Sequence, residues 1–253
     1  MFPAERRRQI AKVVNEQGSC SIAELARMFD VSEMTIHRDL STLEQSGLLR
    51  KARGGAVASG PYVVPVDYRA RLQSYEAEKD RIGQRAVELI QNGETIFLDA
   101  GTTCLSIARH LAGFADLTVY TSGPLLLLEL AQAPHVEVHS TGGLLSKRTM
   151  AYVGPEAERV VSRIRADKCF IGASGFTIED GVTDPLPLES SIKRAMVENA
   201  LEVIVVATPD KFGRVTAHVT APVEAIDTVM MNRETPEQYA QALTARGIRC
   251  IVV

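Results

Sequence analysis

The sequence lacks the cysteine pattern of a metal centre or of a disulfide-rich domain. Its 253 residues include four cysteines, with no C-x-x-C pair and no histidine at zinc-ligand spacing beside them. We therefore expect Cys20, Cys104, Cys169 and Cys250 to be reduced thiols. Neither a metal ion nor a cofactor is expected.

Long apolar runs are missing too. No stretch approaches the roughly 18 apolar residues of a membrane span, and no charged-then-apolar leader ends at a small-residue cleavage site. Hydrophobic residues make up 45% of the chain and charged residues 23%, the balance of a soluble globular protein. These features predict a cytoplasmic protein with no membrane partner.

Charge is divided unevenly along the chain. Residues 1–57 carry nine Lys/Arg against seven Asp/Glu, which leaves nineteen against twenty-four for residues 58–253. A basic end on an acidic body suggests a polyanionic partner for the first segment alone. Gly60, Pro61 and Pro65 fall close together in residues 58–75, which predicts a linker. We therefore expect one domain over residues 1–57 and another over residues 76–253.

The first segment shows three helical patterns in quick succession. The first runs roughly from Glu5 to Gln17, and the second opens at Ser21, with the capping-box spacing to Glu24. Ser32 is placed to cap the third, whose apolar stripe falls at i, i+4 and i+7. Two short helices joined by a tight turn are typical of a helix-turn-helix.

Polar side chains occupy the outward face of the third predicted helix. An arginine there can form a bidentate contact with guanine, while hydroxyl or imidazole groups can reach phosphates and base edges. After the helix, a basic stretch ending at Gly54 predicts a β-hairpin wing against phosphates. A solvated helix face and an ordinary exposed hairpin are the alternatives. The DNA-binding candidates are Ser32, Met34, Thr35, His37, Arg38, Ser41, Arg50, Lys51 and Arg53.

This segment resembles the amino-terminal domain of the DeoR family of bacterial transcriptional regulators. The family pattern V-S-x-x-T-I-R-R-D-L-x-x-L-E-x-x-G-L-L, followed by a basic G-G-A wing, reads here as "VSEMTIHRDLSTLEQSGLL" and "RKARGGA". His37 stands at the usual first arginine of the pattern. The resemblance implies a winged helix-turn-helix that binds double-stranded operator DNA.

After the linker, apolar runs such as "TIFLDA", "LTVYTS", "KCFIGAS" and "EVIVVAT" alternate with amphipathic segments. Strands that alternate with helices predict an α/β domain with a mainly parallel sheet. The fold class is therefore α/β, with a small N-terminal winged helix-turn-helix domain and a larger α/β sensor domain.

Glycine- and hydroxyl-rich turns follow several of these strands. The first joins Asp99 to Gly101, Thr102 and Thr103 ahead of a helix, an arrangement that suits an anion such as phosphate. Similar turns follow later strands, and in a parallel sheet they meet along one edge. Lys211 could supply a cation, and Asp99, Asp180 and Glu189 could accept sugar hydroxyls. Each feature could equally be an ordinary cap or a surface residue.

This half also resembles the DeoR-family sensor domain, through I-F-L-D-x-G-T-T, the T-G-G loop, F-I-G-x-x-G and the D-K-F-G region. Family sensor domains are related in fold to ribose-5-phosphate isomerase and typically bind phosphorylated sugars. The effector contacts that the resemblance implies are Asp99, Gly101, Thr102, Thr103, Thr121, Ser122, Gly142, Gly143, Gly175 and Lys211.

The leading hypothesis is a non-enzymatic transcriptional repressor of a carbohydrate-metabolism operon that responds to a phosphorylated sugar. One alternative is a sugar-phosphate isomerase with an attached DNA-binding head, although "GASGFTIEDG" stands where the isomerases carry an acidic D-G-A-D-E loop. Another is a regulator with no small-molecule effector. Since a single head buries too little surface for high specificity, a homodimer or homotetramer is expected.

Overall fold

The computed structural model describes residues 2–17, 19–45, 48–52, 54–58 and 68–253. Contacts between Cα atoms divide the chain into two compact units, Met1–Ser74 and Tyr75–Val253. Within the described residues, no helix combines the length and apolar character that crossing a membrane would need.

The first unit is a small helical domain with a three-stranded sheet. Its elements are α1 (Pro3–Gln17), β1 (Ser19–Ser21), α2 (Ile22–Phe29), α3 (Glu33–Gln45), β2 (Leu49–Ala52), β3 (Gly55–Ala58) and α4 (Tyr68–Gln73). The first helix begins two residues earlier than predicted, and α4 falls in the segment where no helix was expected.

Side-chain caps fix where α2 and α3 begin. The Ser21 hydroxyl accepts from the backbone N–H of Glu24, whose carboxylate accepts in return from the Ser21 N–H, so the predicted capping box is confirmed. The Ser32 hydroxyl accepts from the Thr35 N–H at 3.2 Å, the predicted cap of α3. Asp30 ends α2 in the left-handed region at φ 50°, which turns the chain toward α3.

The core of the first unit lies between helices α1, α2 and α3 and the three-stranded sheet. Ile36, Leu40 and Leu43 of α3 are all buried, as the apolar stripe predicted, and they pack in one cluster with Ile10 and Leu25. The wing hairpin is present, with β2 antiparallel to β3. The strand β1 was not predicted, and it pairs with the other side of β3.

The second unit is an α/β domain. Its helices are α5 (Glu76–Ala86), α6 (Thr102–Arg109), α7 (Pro124–Leu130), α8 (Pro155–Val161), α9 (Pro187–Glu198) and α10 (Glu237–Thr244). Its strands are β4 (Thr95–Leu98), β5 (Leu117–Thr121), β6 (Val136–Ser140), β7 (Leu144–Ser146), β8 (Ala151–Val153), β9 (Ala166–Gly172), β10 (Gly175–Thr177), β11 (Gly181–Asp184), β12 (Ala200–Ala207), β13 (His218–Ala221), β14 (Thr228–Met231) and β15 (Arg249–Val252).

Seven parallel strands form the main sheet, in the order β15-β14-β12-β9-β4-β5-β6. The predicted α/β fold with a mainly parallel sheet is confirmed. The chain leaves β4 toward β5 and β6, then returns to the other side of β4 with β9. The order of the strands therefore reverses between β4 and β9, the position where open α/β sheets bind ligands.

Two smaller sheets accompany the main one, and neither was predicted. One is antiparallel with the order β10-β11-β13, and the other is the hairpin of β7 and β8. The main core packs on strands of the large sheet, with Phe97, Phe170 and Val205 fully buried. Residues 96–98, 169–171 and 203–207 are apolar and buried in consecutive positions, as expected for central strands of a parallel sheet.

Candidate DNA-binding surface and effector site

The outward face of α3 carries the predicted DNA-binding side chains. Met34 is 70% exposed, and His37 and Arg38 are exposed beside it, while Ile36 points into the core. Ser32 is exposed, and Thr35 and Ser41 are half-buried. One side of the helix is therefore anchored by apolar contacts, and the other offers a guanidinium, an imidazole and hydroxyls.

The wing strand β2 is attached directly to this helix. The Lys51 ammonium donates to the Ser41 hydroxyl at 3.0 Å, and the Lys51 backbone N–H donates to the carboxylate of Glu44 at 2.8 Å. Arg50 is exposed on the same strand. The helix α3 and the strand β2 thus present basic and polar side chains next to each other. The remaining candidate of the wing, Arg53, lies outside the described residues.

A helix with an exposed arginine and a neighbouring basic strand suits duplex DNA. The guanidinium of Arg38 can donate two parallel hydrogen bonds to guanine O6 and N7. A lysine ammonium such as that of Lys51 instead contacts phosphates, which position a protein without reading sequence.

Asp99 occupies the position where the strand order of the main sheet reverses. It follows β4 directly, and its backbone N–H donates to the carbonyl of Phe170 in β9 at 3.0 Å. Its buried carboxylate accepts from the backbone N–H of Gly172, at the end of β9, over 3.2 Å. The carboxylate therefore bridges the ends of two neighbouring strands.

A buried lysine outside the predicted set of effector contacts faces Asp99. The Lys193 ammonium, from α9, lies 3.4 Å from Asp99 Oδ2 and 3.0 Å from Asp184 Oδ2, and it donates to the Gly172 carbonyl. Burial alone would lower the pKa of Lys193, but the carboxylates of Asp184 and Asp99 outweigh burial, so its pKa is raised. The lysine is held in its charged form.

Asp184 completes this cluster. Its carboxylate is fully buried and accepts from Lys193 and from the hydroxyls of Ser174 (2.7 Å) and Thr220 (2.9 Å). The sequence held one signal for the cluster: Lys193 falls on the apolar face of α9 with Ile192 and Met196, where a lysine needs a buried partner.

The hydroxyls after β4 lie at the start of α6. Thr102 and Thr103 are buried. Gly101 precedes them as the N-terminal cap residue, and it has no side chain with which to cap the helix. A Cβ on Gly101 would lie 3.2 Å from Asp99 Oδ2. The helix N-terminus, with its partial positive charge, is therefore adjacent to the buried carboxylate.

The turn after β5 lies against the turn after β4. A Cβ on Gly123 would come within 3.0 Å of the Cα of Ala100. The Thr121 hydroxyl accepts from the Gly123 N–H at 3.0 Å. The Ser122 hydroxyl is fully buried and has no hydrogen-bond partner among the described residues. Leaving a buried hydroxyl without a hydrogen bond costs free energy, so a ligand that forms a hydrogen bond with Ser122 would remove that cost.

The turn after β6 continues the same row of loops. The Thr141 N–H donates to the Thr121 carbonyl at 3.1 Å, and Gly142 and Gly143 both have positive φ. A Cβ on Gly143 would lie 2.8 Å from the Val153 carbonyl, whereas one on Gly142 would meet nothing within 4 Å. The positive φ explains why glycine occupies both positions. At Gly143, the close approach of the Val153 carbonyl is a second reason.

Three further candidates, Gly175, Lys211 and Asp180, contact residues close to them. Gly175 starts β10, where a Cβ would lie 2.5 Å from the Arg214 carbonyl. The Lys211 ammonium donates to the Asp210 carboxylate at 2.7 Å. Asp180 accepts from the Thr177 hydroxyl within its own turn. Lys193 is thus the cation that the structure places against Asp99.

Both units of the chain match models of the same protein family. Residues 6–60 match a family model described as a DeoR-like helix-turn-helix domain, and residues 74–233 match the DeoR C terminal sensor domain. The chain is 34% identical over 234 residues to the HTH-type transcriptional regulator GolR of Listeria innocua, with 92% of both proteins covered.

Two further relatives extend over almost the entire chain. The HTH-type transcriptional regulator GlpR of Haloferax volcanii is 34% identical, over 99% of this chain and 98% of its own length. The putative aga operon transcriptional repressor of Escherichia coli O157:H7 is 33% identical, over 99% of this chain and 94% of its own. Among solved structures, ribose 5-phosphate isomerase A from Methanocaldococcus jannaschii is similar at a TM-score of 0.41 and 16% identity, with 55% of each chain covered.

Proposed function

Because the chain belongs to the DeoR family of transcriptional regulators, we propose that it represses a carbohydrate-metabolism operon under the control of a phosphorylated sugar. The observation that carries the proposal is the set of polar groups at the carboxyl ends of β4, β5 and β9. Asp99, Lys193 and Ser122 are buried there beside the N-terminus of α6.

The chemistry of these groups suits the two ends of a sugar phosphate. Carboxylates such as Asp99 accept hydrogen bonds from sugar hydroxyls, and the buried hydroxyl of Ser122 can donate to or accept from the ligand. The N-terminus of α6, with Thr102 and Thr103, provides backbone N–H groups and hydroxyls for the phosphate. The proposed effector contacts are therefore Asp99, Gly101, Thr102, Thr103, Thr121, Ser122, Gly142, Gly143 and Lys193.

The same geometry favours binding over turnover. An isomerase needs a carboxylate that is available to remove a substrate proton. Asp184 already accepts from Lys193, Ser174 and Thr220, and Asp99 already accepts from Gly172 and faces Lys193. Both oxygens of Asp184 accept hydrogen bonds, so it is poorly placed to act as a base, which supports a sensor without catalytic activity.

For DNA binding, we propose that α3 enters the major groove and that β2 lies along the phosphates. Arg38, Thr35 and His37 would then reach base edges, while Arg50 and Lys51 would contact the backbone. The effector acts by changing how two or more sensor units pack, and residues 58–75 pass that change to paired heads. Regulation of this kind requires two states with different operator affinities.

Thermal unfolding with a panel of sugar phosphates tests the effector, with the corresponding unphosphorylated sugars as controls. A true effector at about 100-fold its dissociation constant should add close to 3 kcal/mol of stability, and its unphosphorylated form should add much less. The same compound should then change the affinity for a duplex that the chain selects from a random library. If no sugar phosphate shifts the unfolding temperature, the effector proposal is wrong. A shift without a change in DNA affinity would refute the coupling alone.

A further inference from the structure

A buried ion pair joins α1 to the back of α3. Arg6 Nε donates to Asp39 Oδ2 over 2.6 Å, and the two residues are 9% and 5% exposed. Among the described residues of 2–58, they are the charged residues that are buried. A charge-assisted bond of this length across two helices is strongly directional.

The apolar contacts of α3 lack that directionality. Ile36, Leu40 and Leu43 fix which side of the helix is buried, but dispersion and hydrophobic contacts tolerate small rotations and shifts of a helix. Asp39 directly follows Arg38, so the two side chains leave the helix about 100° apart. Fixing the carboxylate of Asp39 therefore also fixes the direction in which the Cα–Cβ bond of Arg38 leaves the helix.

Stability alone is a poor reason for such a pair. Desolvating two charges costs about as much as their attraction returns, and well-packed apolar replacements are often neutral or stabilising. Arg7 provides a second cation, 3.9 Å from the other carboxylate oxygen of Asp39. Two arginines thus lie beside the carboxylate of Asp39, on the buried side of α3. The exposed side of the same helix carries the candidate base-reading side chains.

We propose that Arg6 and Asp39 are positioning residues for sequence readout: the pair sets the rotation and register of α3, so that Arg38 meets its base edge. The inference rests on the proposed role of α3 in the major groove. It predicts that the pair contributes to the discrimination between operator and random DNA and contributes little to folding stability.

The decisive variant replaces both charges, Arg6→Met with Asp39→Leu, because neither charge is then left buried alone and the net charge is unchanged. The probes are a duplex selected by the wild-type chain from a random-sequence library and a random duplex. We expect an unfolding temperature at or above that of the wild type. The ratio of selected to random affinity should fall by about tenfold, which is the scale of one mismatched base pair.

The matched control removes the exposed pair of Glu5 and Arg8 on the same helix, whose side chains are 48% and 56% exposed. Glu5→Gln with Arg8→Gln also leaves the net charge unchanged, and it should leave the affinity ratio as in the wild type. An equal fall in the control would mean that α1 itself is sensitive to substitution, and the positioning role of the buried pair would be refuted.

A second measurement separates positioning from general damage. In the wild type, Arg38→Ala should reduce the affinity ratio strongly, whereas in the apolar double variant it should reduce the ratio much less, because the guanidinium is already misplaced. Additive effects would overturn the proposal. If Arg38→Ala leaves the wild-type ratio unchanged, base reading by Arg38 is refuted, and the positioning of Arg38 by the pair is refuted with it.

A conservative variant decides the case if the double variant does not fold. Arg6→Lys keeps the cation but loses the planar guanidinium that fixes the geometry. The folded Arg6→Lys protein should lose part of its discrimination while its affinity for random duplex stays unchanged. Wild-type discrimination in Arg6→Lys would refute the proposal.

Discussion

The Lys193 ammonium lies 3.4 Å from the Asp99 carboxylate and 3.0 Å from that of Asp184, inside the second unit. One cation therefore lies against two buried carboxylates from different strand ends, and the buried carboxylate of Glu189 also acts on it. Removing a single member leaves the remaining charges in a low-dielectric environment, where the cost is large.

Lys193→Met should destabilise the second unit by about 3–5 kcal/mol, the usual cost of breaking a buried pair from one side. Urea unfolding measures the loss. Lys147→Met, at an exposed position after β7, is the matched control and should change the unfolding free energy by less than about 0.5 kcal/mol. Adding Asp184→Asn to Lys193→Met should recover part of the loss. A cost at Lys193 no larger than at Lys147 would contradict the described cluster.

Ser122→Ala should leave the unfolding free energy of the free protein unchanged or raise it by up to about 1 kcal/mol, because it removes a buried hydroxyl that has no partner among the described residues. The same change should weaken effector binding. Thr121→Val is the contrast, since it removes the acceptor of the Gly123 N–H and should cost about 1 kcal/mol. Unfolding curves with and without effector test both. A destabilised Ser122→Ala would mean that its hydroxyl is bonded in the free protein.

Arg38→Ala and Lys51→Ala should weaken DNA binding in different ways. Loss of Arg38 should cost about 1–3 kcal/mol on the selected duplex and relax the preference for one base, whereas loss of Lys51 should weaken all duplexes about equally and lower the salt slope by about 1. Titrations over a range of salt concentrations distinguish the two. Equal losses on selected and random DNA for Arg38→Ala would exclude base reading by this arginine.

The Asp210 carboxylate should contribute to stability against acid. Burial raises the pKa of Asp210, but Lys211 and Arg214 outweigh burial, so its pKa in the folded protein is lowered. A lowered pKa means that the contribution is present above the ordinary carboxyl pKa and is lost as the pH falls through the folded value. Asp210→Asn should therefore flatten the loss of stability as the pH falls below the ordinary carboxyl pKa of about 4.

Lys211→Gln should also flatten the loss of stability with acid, because it removes the cation that is nearer to the Asp210 carboxylate. Urea midpoints measured across the acid range test both variants. An Asp210→Asn protein that loses stability with acid as steeply as the wild type would show that the pair does not drive this part of the transition.

Local periodicity was sufficient to predict the face of α3. Ile36, Leu40 and Leu43 recur at helical spacing, and the spacing alone determines which side chains point outward. The parallel sheet was predictable for a similar reason, since apolar strands alternate with amphipathic helices. By contrast, β1 has three residues and exists because it pairs with β3, so its own sequence carries little signal.

The pairing of the charged residues could not be predicted from local sequence. Arg6 and Asp39 meet because α1 packs across α3, and Lys193 meets Asp99 because β9 returns beside β4. Both depend on how distant segments pack. Lys211 could be proposed from its position after a strand, whereas Lys193 is placed against Asp99 by the packing of α9.

The hydrogen bond from Gly172 to Asp99 spans 73 positions of the chain. During synthesis, β4, β5 and β6 leave the ribosome before the strand that completes their polar edge exists, and long-range pairings of this kind form slowly. The first unit is made earlier, and its contacts are closer together in the sequence. A newly made chain can therefore complete its helix-turn-helix unit before the polar edge of its α/β unit exists.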